Sequence, residues 1–206
     1  MITKAHILSA HPQTSFLNST AETIYIADFT RRTQGTANPR SVEISETPPI
    51  MADGSRVDAV TFHNNQRLSI EVTIYDDYLF EDTTGTNIEH CEGSLYELDH
   101  PQWIAFFEIK DCDERNIQNH KEKAIRQVIN VSKDFKVRGI VRAEKVYGII
   151  SFPRKHTAFN DDIFGDIIEY TQLKRRTGII FYATNEVFII DKNSLKLVNH
   201  DIDLKG

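Results

Sequence analysis

Glu108 and Lys110 stand two residues apart at the end of an apolar run that reads Trp-Ile-Ala-Phe-Phe-Glu-Ile-Lys from Trp103. Alternation along a β-strand puts both side chains on one face. A buried strand gains nothing from a carboxylate beside an ammonium unless the two pair or act, because each is costly to take out of water. The chemistry this pair suits is metal-assisted hydrolysis of a phosphodiester. The carboxylate would hold a divalent cation, and the lysine would orient or deprotonate the attacking water, or steady charge growing on the phosphate.

The preceding segment supplies a second acid. Reading residues 91–99 as a strand and His100-Pro101-Gln102 as a tight connection sets Asp99 opposite Trp103. Counting back, Ser94 falls opposite Glu108 and Glu92 opposite Lys110, so Glu92, Glu108 and Lys110 converge on one face. The assignment hangs on loop length, since a one-residue change sends Glu92 to the other face. An ordinary cross-strand salt bridge beside a solvated glutamate is the competing reading.

Three stretches together resemble the PD-(D/E)xK nuclease superfamily: His90-Cys91-Glu92-Gly93-Ser94-Leu95-Tyr96, then Ile104-Ala105-Phe106-Phe107-Glu108-Ile109-Lys110, then Ala124-Ile125-Arg126-Gln127. They are most similar to bacterial members in which an acid follows a cysteine and a later Glu-x-Lys strand leads into a helix with an Ala-x-x-Gln step. Residues 146–153 resemble the next core strand of such proteins. The resemblance spans residues 88–190 and leaves out the first half of the chain. It implies that Glu92 and Glu108 bind Mg²⁺ or Mn²⁺, with a backbone carbonyl near residue 109, that Lys110 is the catalytic lysine, and that Gln127 is an accessory of the site. The sequence departs from the family pattern at Glu92, one methylene longer than the usual aspartate and without a preceding proline.

These residues need a scaffold, and the hydrophobic pattern supplies one. Residues 19–32 read as a helix with Ala21, Ile24, Tyr25 and Phe29 on its apolar face, capped by Ser19 or Thr20, and 35–49 as an irregular arm. Residues 57–62 and 68–74 flank His63-Asn64-Asn65-Gln66 as a hairpin that sets Asp58 opposite Glu71. Residues 116–135 form an amphipathic helix through Ile117, Ala124, Ile125, Val128, Val131 and Phe135, with Lys123 and Gln127 at the edge of that face. A strand over 146–152, a second helix over 161–176 using Ile163, Phe164, Ile167 and Ile168, and a hairpin of 178–183 with 187–190 complete the chain. The expected fold is mixed α/β, a central mixed sheet flanked by helices, with the resemblance implying a restriction-endonuclease-like core. Residues 1–55 would be an N-terminal helix and arm, and 56–206 the core, within one compact domain.

A chain of 206 residues with 40% hydrophobic residues can bury a sizeable core. No apolar run approaches membrane-spanning length and no signal-peptide core is present, so a cytoplasmic protein is expected. Cys91 and Cys112 make neither a disulfide framework nor a zinc site. The net charge of −6 conceals an asymmetry: residues 115–176 hold 14 Lys plus Arg against 7 Asp plus Glu, the remainder 10 against 23. The basic part follows the Glu-x-Lys strand, where phosphate-neutralising contacts would be wanted. Upstream, residues 71–99 hold nine acids and no Lys or Arg, more than one metal site can use. The eight histidines show no metal-binding spacing, and phosphate-cradling glycine loops, dinucleotide fingerprints and nucleophile elbows are missing.

The resulting expectation is a Mg²⁺- or Mn²⁺-dependent nuclease acting on DNA rather than RNA, with genome defence or DNA processing as the setting by analogy. A homodimer or protein partner is compatible with it, and no membrane association is expected. The alternative is a nuclease-like fold that no longer cuts and serves as a binding or regulatory subunit. A third reading, a module that docks a basic partner through its acidic stretch, ranks below both.

Overall fold

An unbroken apolar strand must be covered on both faces, so the run from Trp103 dictates a layered architecture. The computed structural model describes residues 2–12, 14–75, 80–142, 144–155 and 160–197. The chain runs α1 (Lys4–Ala10), β1 (Thr14–Ser19), β2 (Thr23–Asp28), α2 (Thr30–Thr33), β3 (Val42–Ser45), β4 (Val60–His63), β5 (Ile70–Tyr75), β6 (Gly93–Glu97) and β7 (Trp103–Ile109). It continues through α3 (Ile117–Val137), β8 (Lys145–Ser151), α4 (Asn160–Phe164), α5 (Ile167–Thr177), β9 (Ile179–Ala183), β10 (Glu186–Asp191) and β11 (Ser194–Leu197). The fold is mixed α/β, but the strands form two mixed sheets rather than one. A six-stranded sheet has the order β1-β5-β6-β7-β8-β9, and a five-stranded sheet the order β11-β10-β4-β2-β3.

Every residue of β7 is buried, and its alternate side chains serve two cores. Ile104 and Phe106 face a helical layer with Ala124, Val128, Val131 and Phe135 of α3 and Ile7 of α1. Trp103, Ala105, Phe107 and Ile109 face the second sheet, packing with Ile24, Ile26, Val60, Phe62, Val187 and Ile189. Glu108 therefore shares the helical side with Phe106. Along β1, β5, β6 and β7 each strand is antiparallel to its neighbour, whereas β8 and β9 run parallel to β7 through crossovers carrying α3 and then α4 and α5.

The amphipathic helix matches α3, with Ile117, Ala124, Val128, Val131 and Phe135 buried as expected. The helix expected over residues 19–32 is replaced by β1, β2 and the short α2. Thr23-Ile24-Tyr25-Ile26 is β-branched and aromatic, and such residues fit a pleated surface with Ile24 and Ile26 fully buried on one face. The arm over 35–49 contains β3, paired with β2. Residues 1–55 thus supply strands to both sheets.

Neither outer hairpin forms, because both connections are corners between sheets. Residues 57–62 and 68–74 end in β4 and β5, which lie in different sheets, and Glu71 pairs with Asn18 and Tyr96 rather than Asp58. Asn64, fully buried, ties this corner: its side chain accepts from Leu68 N and donates to Leu68 O and Ala21 O. Asn185 does the same between β9 and β10, donating to Phe152 O and Lys155 O and accepting from Phe152 N and Ser151 Oγ. The helix expected over 161–176 is broken at Gly165, whose φ of 72° lies in the left-handed region, and restarts at Asp166, which accepts from Ile168 N and Glu169 N. The break turns Ile167 and Ile168 to solvent while Ile163 and Phe164 stay buried.

Gly148 on β8 lies under α3, where an added Cβ would stand 2.6 Å from Phe181 Cε1 and 2.9 Å from Val128 Cγ1. Gly148→Ala is expected to cost about 1–3 kcal/mol of stability. The measurement is chemical denaturation, with a lowered midpoint at unchanged slope.

Candidate active site at the end of the central strand

Glu108 is fully buried near the end of β7, and its carboxylate forms a close ion pair with Lys110 Nζ. Neither carboxylate oxygen has a well-formed hydrogen bond, so this contact is its main compensation. Burial pushes the Glu108 carboxyl up to about 7, against the pull of the Lys110 ammonium and the Glu92 backbone amide. Burial works to lower Lys110 as well, but the charges of Glu108, Glu92 and Asp28 outweigh it and leave its pKa raised. The lysine side chain keeps 19% exposure, enough to reach a cavity.

The hairpin that assembles this site forms, with its register displaced by two residues. Gly93 pairs with Phe107, Ser94 with Phe106 and Tyr96 with Ile104, so Ser94 does not lie opposite Glu108. The connection covers residues 98–102 instead of three residues, and the buried Glu97 carboxylate shapes it by accepting from Asp99 N and His100 N. An even shift preserves which side chains share a face. Glu92 precedes β6, where its carbonyl accepts from Tyr75 N at 2.9 Å. Its charge acts on both Lys110 and Cys91.

Helix α3 grips the chain just ahead of Glu92. Gln127 Nε2 donates to His90 O at 2.6 Å, Asn130 Nδ2 to Glu89 O at 3.0 Å, and Arg126 Nε to the Glu89 carboxylate at 2.9 Å. The amide of Gln127 thus holds the backbone that carries Glu92, while its Oε1 is buried without a hydrogen-bond partner. Lys123 approaches Glu89 at 3.9 Å and weakly favours the ionised form of Glu108.

On the other side, the residue after Lys110 is clamped by two guanidinia. Arg154 binds Asp111 in a fork, Nε to Oδ1 at 2.5 Å and Nη2 to Oδ2 at 3.0 Å, and Arg32 Nε reaches Oδ2 at 3.2 Å. Burial opposes the Asp111 charge, but these arginines outweigh it and hold the carboxyl below its ordinary range. Arg154 also binds Asp113, and Arg32 binds Asp58. The Lys110 backbone N–H donates to Ser151 O at 2.9 Å, which extends the β7–β8 pairing. A cavity of about 400 Å³ opens beside Lys110, lined also by Asp28, Arg31, Asp111, Cys112, Asn116 and His120.

The structure brings Glu92, Glu108 and Lys110 into one electrostatic neighbourhood and places Gln127 behind it. Sequence reasoning missed Asp28, Arg31, Arg32 and the role of Asp111. Only Asp111, adjacent to Lys110, carried any local sign; the other three arrive from the second sheet. Part of the expected basic charge is spent on ion pairs within the chain, with Arg126 on Glu89, Arg138 on Asp134, Arg154 on Asp111 and Asp113, and Lys155 on Asp162. The acidic stretch is similarly employed: Glu89 pairs with α3, Glu97 forms its turn, and Asp82 caps a turn at Thr84 and Thr86. Asp76, Asp77 and Tyr78 lie outside the described residues, as does His156. Tyr75, Tyr96 and Trp103 are core residues. His11, buried, contacts Asp134 at 3.0 Å and stacks on Phe80, which is structural packing. Among the described residues, no group of three or more His, Cys, Asp or Glu side chains gathers in a metal-binding cluster.

No family model, curated protein or solved structure matches this chain.

Because the Glu108 pKa is higher folded than unfolded, its contribution to stability is present in full below about pH 4.5 and is lost as pH rises through about 7. Glu108→Gln removes that titration. The variant is expected to lose less stability than the parent between pH 4.5 and 7.5, by on the order of 3 kcal/mol at the upper end. Urea melts of both proteins across that range measure the difference.

Proposed function

We propose that the chain is a metal-dependent phosphodiesterase acting on nucleic acid, DNA in preference to RNA, of the PD-(D/E)xK kind. The observation that carries this reading is the buried Glu108–Lys110 pair, whose lysine lines a cavity, with the charge of Glu92, just ahead of the antiparallel neighbour strand, acting on that lysine. The succession of hairpin β6–β7, helix α3 and parallel strand β8 supports it, since this is the order the nuclease core requires.

The donor set suits Mg²⁺ or Mn²⁺. It consists of carboxylate oxygens, which such hard cations prefer, and the Glu108 oxygens lack well-formed hydrogen bonds. Glu92 and Glu108 would hold the ion, with a backbone carbonyl near residue 109; Mg²⁺ commonly takes one or two carboxylates and fills its remaining positions with water and substrate phosphate. When bound, the cation supplies charge for the phosphate and lowers the pKa of coordinated water. Lys110 orients the attacking water or neutralises charge on the phosphate, and its raised pKa favours the charged, electrostatic role over that of a base. Gln127 acts through the 89–90 backbone by fixing where Glu92 begins.

The expected result is cation-dependent cleavage of a DNA substrate that Lys110→Ala and Glu108→Ala each reduce at least a hundredfold. Folded variants as active as the parent in a gel assay would remove the assignment. Metal binding must also displace the proton from Glu108, so Mn²⁺ affinity measured by calorimetry should rise as pH increases through about 7. The second reading, an inert nuclease-like scaffold, is favoured by the internal neutralisation of Arg126, Arg138 and Arg154. It predicts no Mn²⁺ binding at millimolar concentration by the folded protein.

A further inference from the structure

We infer that the cavity beside Lys110 is a nucleotide-phosphate subsite, and that its defining cation, Arg31, is supplied by the N-terminal half of the chain that lies outside the nuclease-like segment. The cavity, about 400 Å³, has the volume of a small-ligand pocket and matches one nucleotide rather than a long groove. Its lining includes four residues able to donate, Arg31, Lys110, Asn116 and His120, beside Asp28, Asp111 and Cys112.

What distinguishes Arg31 from the other arginines nearby is how little it is engaged. Arg154 and Arg32 are fixed on Asp111 by bonds of 2.5 to 3.2 Å. Among the described residues, Arg31 makes a 3.4 Å contact to Asp111 O and a 4.0 Å approach to Asp113, and its side chain is 53% exposed. Its forked donors therefore stay open to an incoming oxyanion, for which guanidinium geometry is well matched.

Two carboxylates also line the cavity, and each has its own partner. Asp111 is compensated by Arg154 and Arg32, and Asp28 accepts from Thr30 N at 2.8 Å. The remaining oxygen of Asp28 is an acceptor suited to a sugar hydroxyl or a base amino group, which makes a nucleotide a better occupant than free phosphate. The inference rests on the phosphodiester reading for its choice of anion, but binding here requires neither metal nor cleavage.

The test is calorimetry of the whole chain in EDTA with thymidine 5′-monophosphate, and with thymidine as the uncharged control. The nucleotide should bind and thymidine should bind at least tenfold more weakly. Arg31→Ala should weaken nucleotide binding about tenfold, the loss of one charge-assisted contact, and His120→Ala less. Arg176→Ala, at the far end of α5, should change nothing. Equal binding of nucleotide and nucleoside, or unchanged affinity in a folded Arg31→Ala variant, would overturn the subsite. Arg31-dependent binding by a protein that leaves DNA uncut with Mn²⁺ upholds the subsite and removes the nuclease reading. Mn²⁺-dependent cutting by a parent protein that binds no nucleotide in EDTA does the reverse.

Discussion

A carboxylate and an ammonium held together inside a three-layer protein set the terms for everything around them. Removing either charge from water costs several kcal/mol, and the attraction between them repays it only if both are held in place. Glu108 cannot move, because β7 is buried on both faces between α3 and the second sheet. Lys110 is fixed from behind by the β8 carbonyl at Ser151 and by the clamp on Asp111. The pair is incompletely hydrogen-bonded even so, and burial outweighs the pull of Lys110 and holds the Glu108 carboxyl up at about 7. Of the two groups, Lys110 reaches the cavity and Glu108 stays behind it.

The second sheet gives the site more than cover. Its strand β2 ends at Asp28, and the turn into α2 presents Arg31 to the cavity and Arg32 to Asp111. One arginine completes the clamp that fixes the lysine, and its neighbour is left with open donors. The site is therefore shared between the two halves of the chain. Packing of β2 against β7 through Ile24, Ile26 and Phe107 is a condition for its assembly.

Part of the charge that looked like a binding surface is spent on ion pairs within the chain. The basic residues of α3 and the β8 end hold acids that immediately precede or follow the site strands. Arg126 anchors Glu89 next to the Gln127 contact on His90, and Arg154 anchors Asp111 and Asp113. Positive charge is thus invested in positioning two backbone segments, with less left to attract a distant polyanion.

Short-range pattern was enough to read the strand with Glu108 and Lys110, the helix α3 with its buried face, and the β6–β7 pairing. These depend on spacing within one or two neighbouring elements. The register erred by two residues, because loop length depends on the Glu97 carboxylate closing its own turn, a local hydrogen bond that composition does not announce. The helix expected over 19–32 failed for a related reason: Ala21, Ile24, Tyr25 and Phe29 satisfy helical spacing, while Ile24 and Ile26 satisfy strand alternation. Only the presence of a second sheet to pair with decides between them. By itself, then, the sequence determined that an acid and an amine share one strand face near a second acid. Tertiary structure decided that Asp28, Arg31 and Arg32 meet them there, because contacts between residues eighty positions apart arise from the stacking of two sheets and leave no periodic trace along the chain.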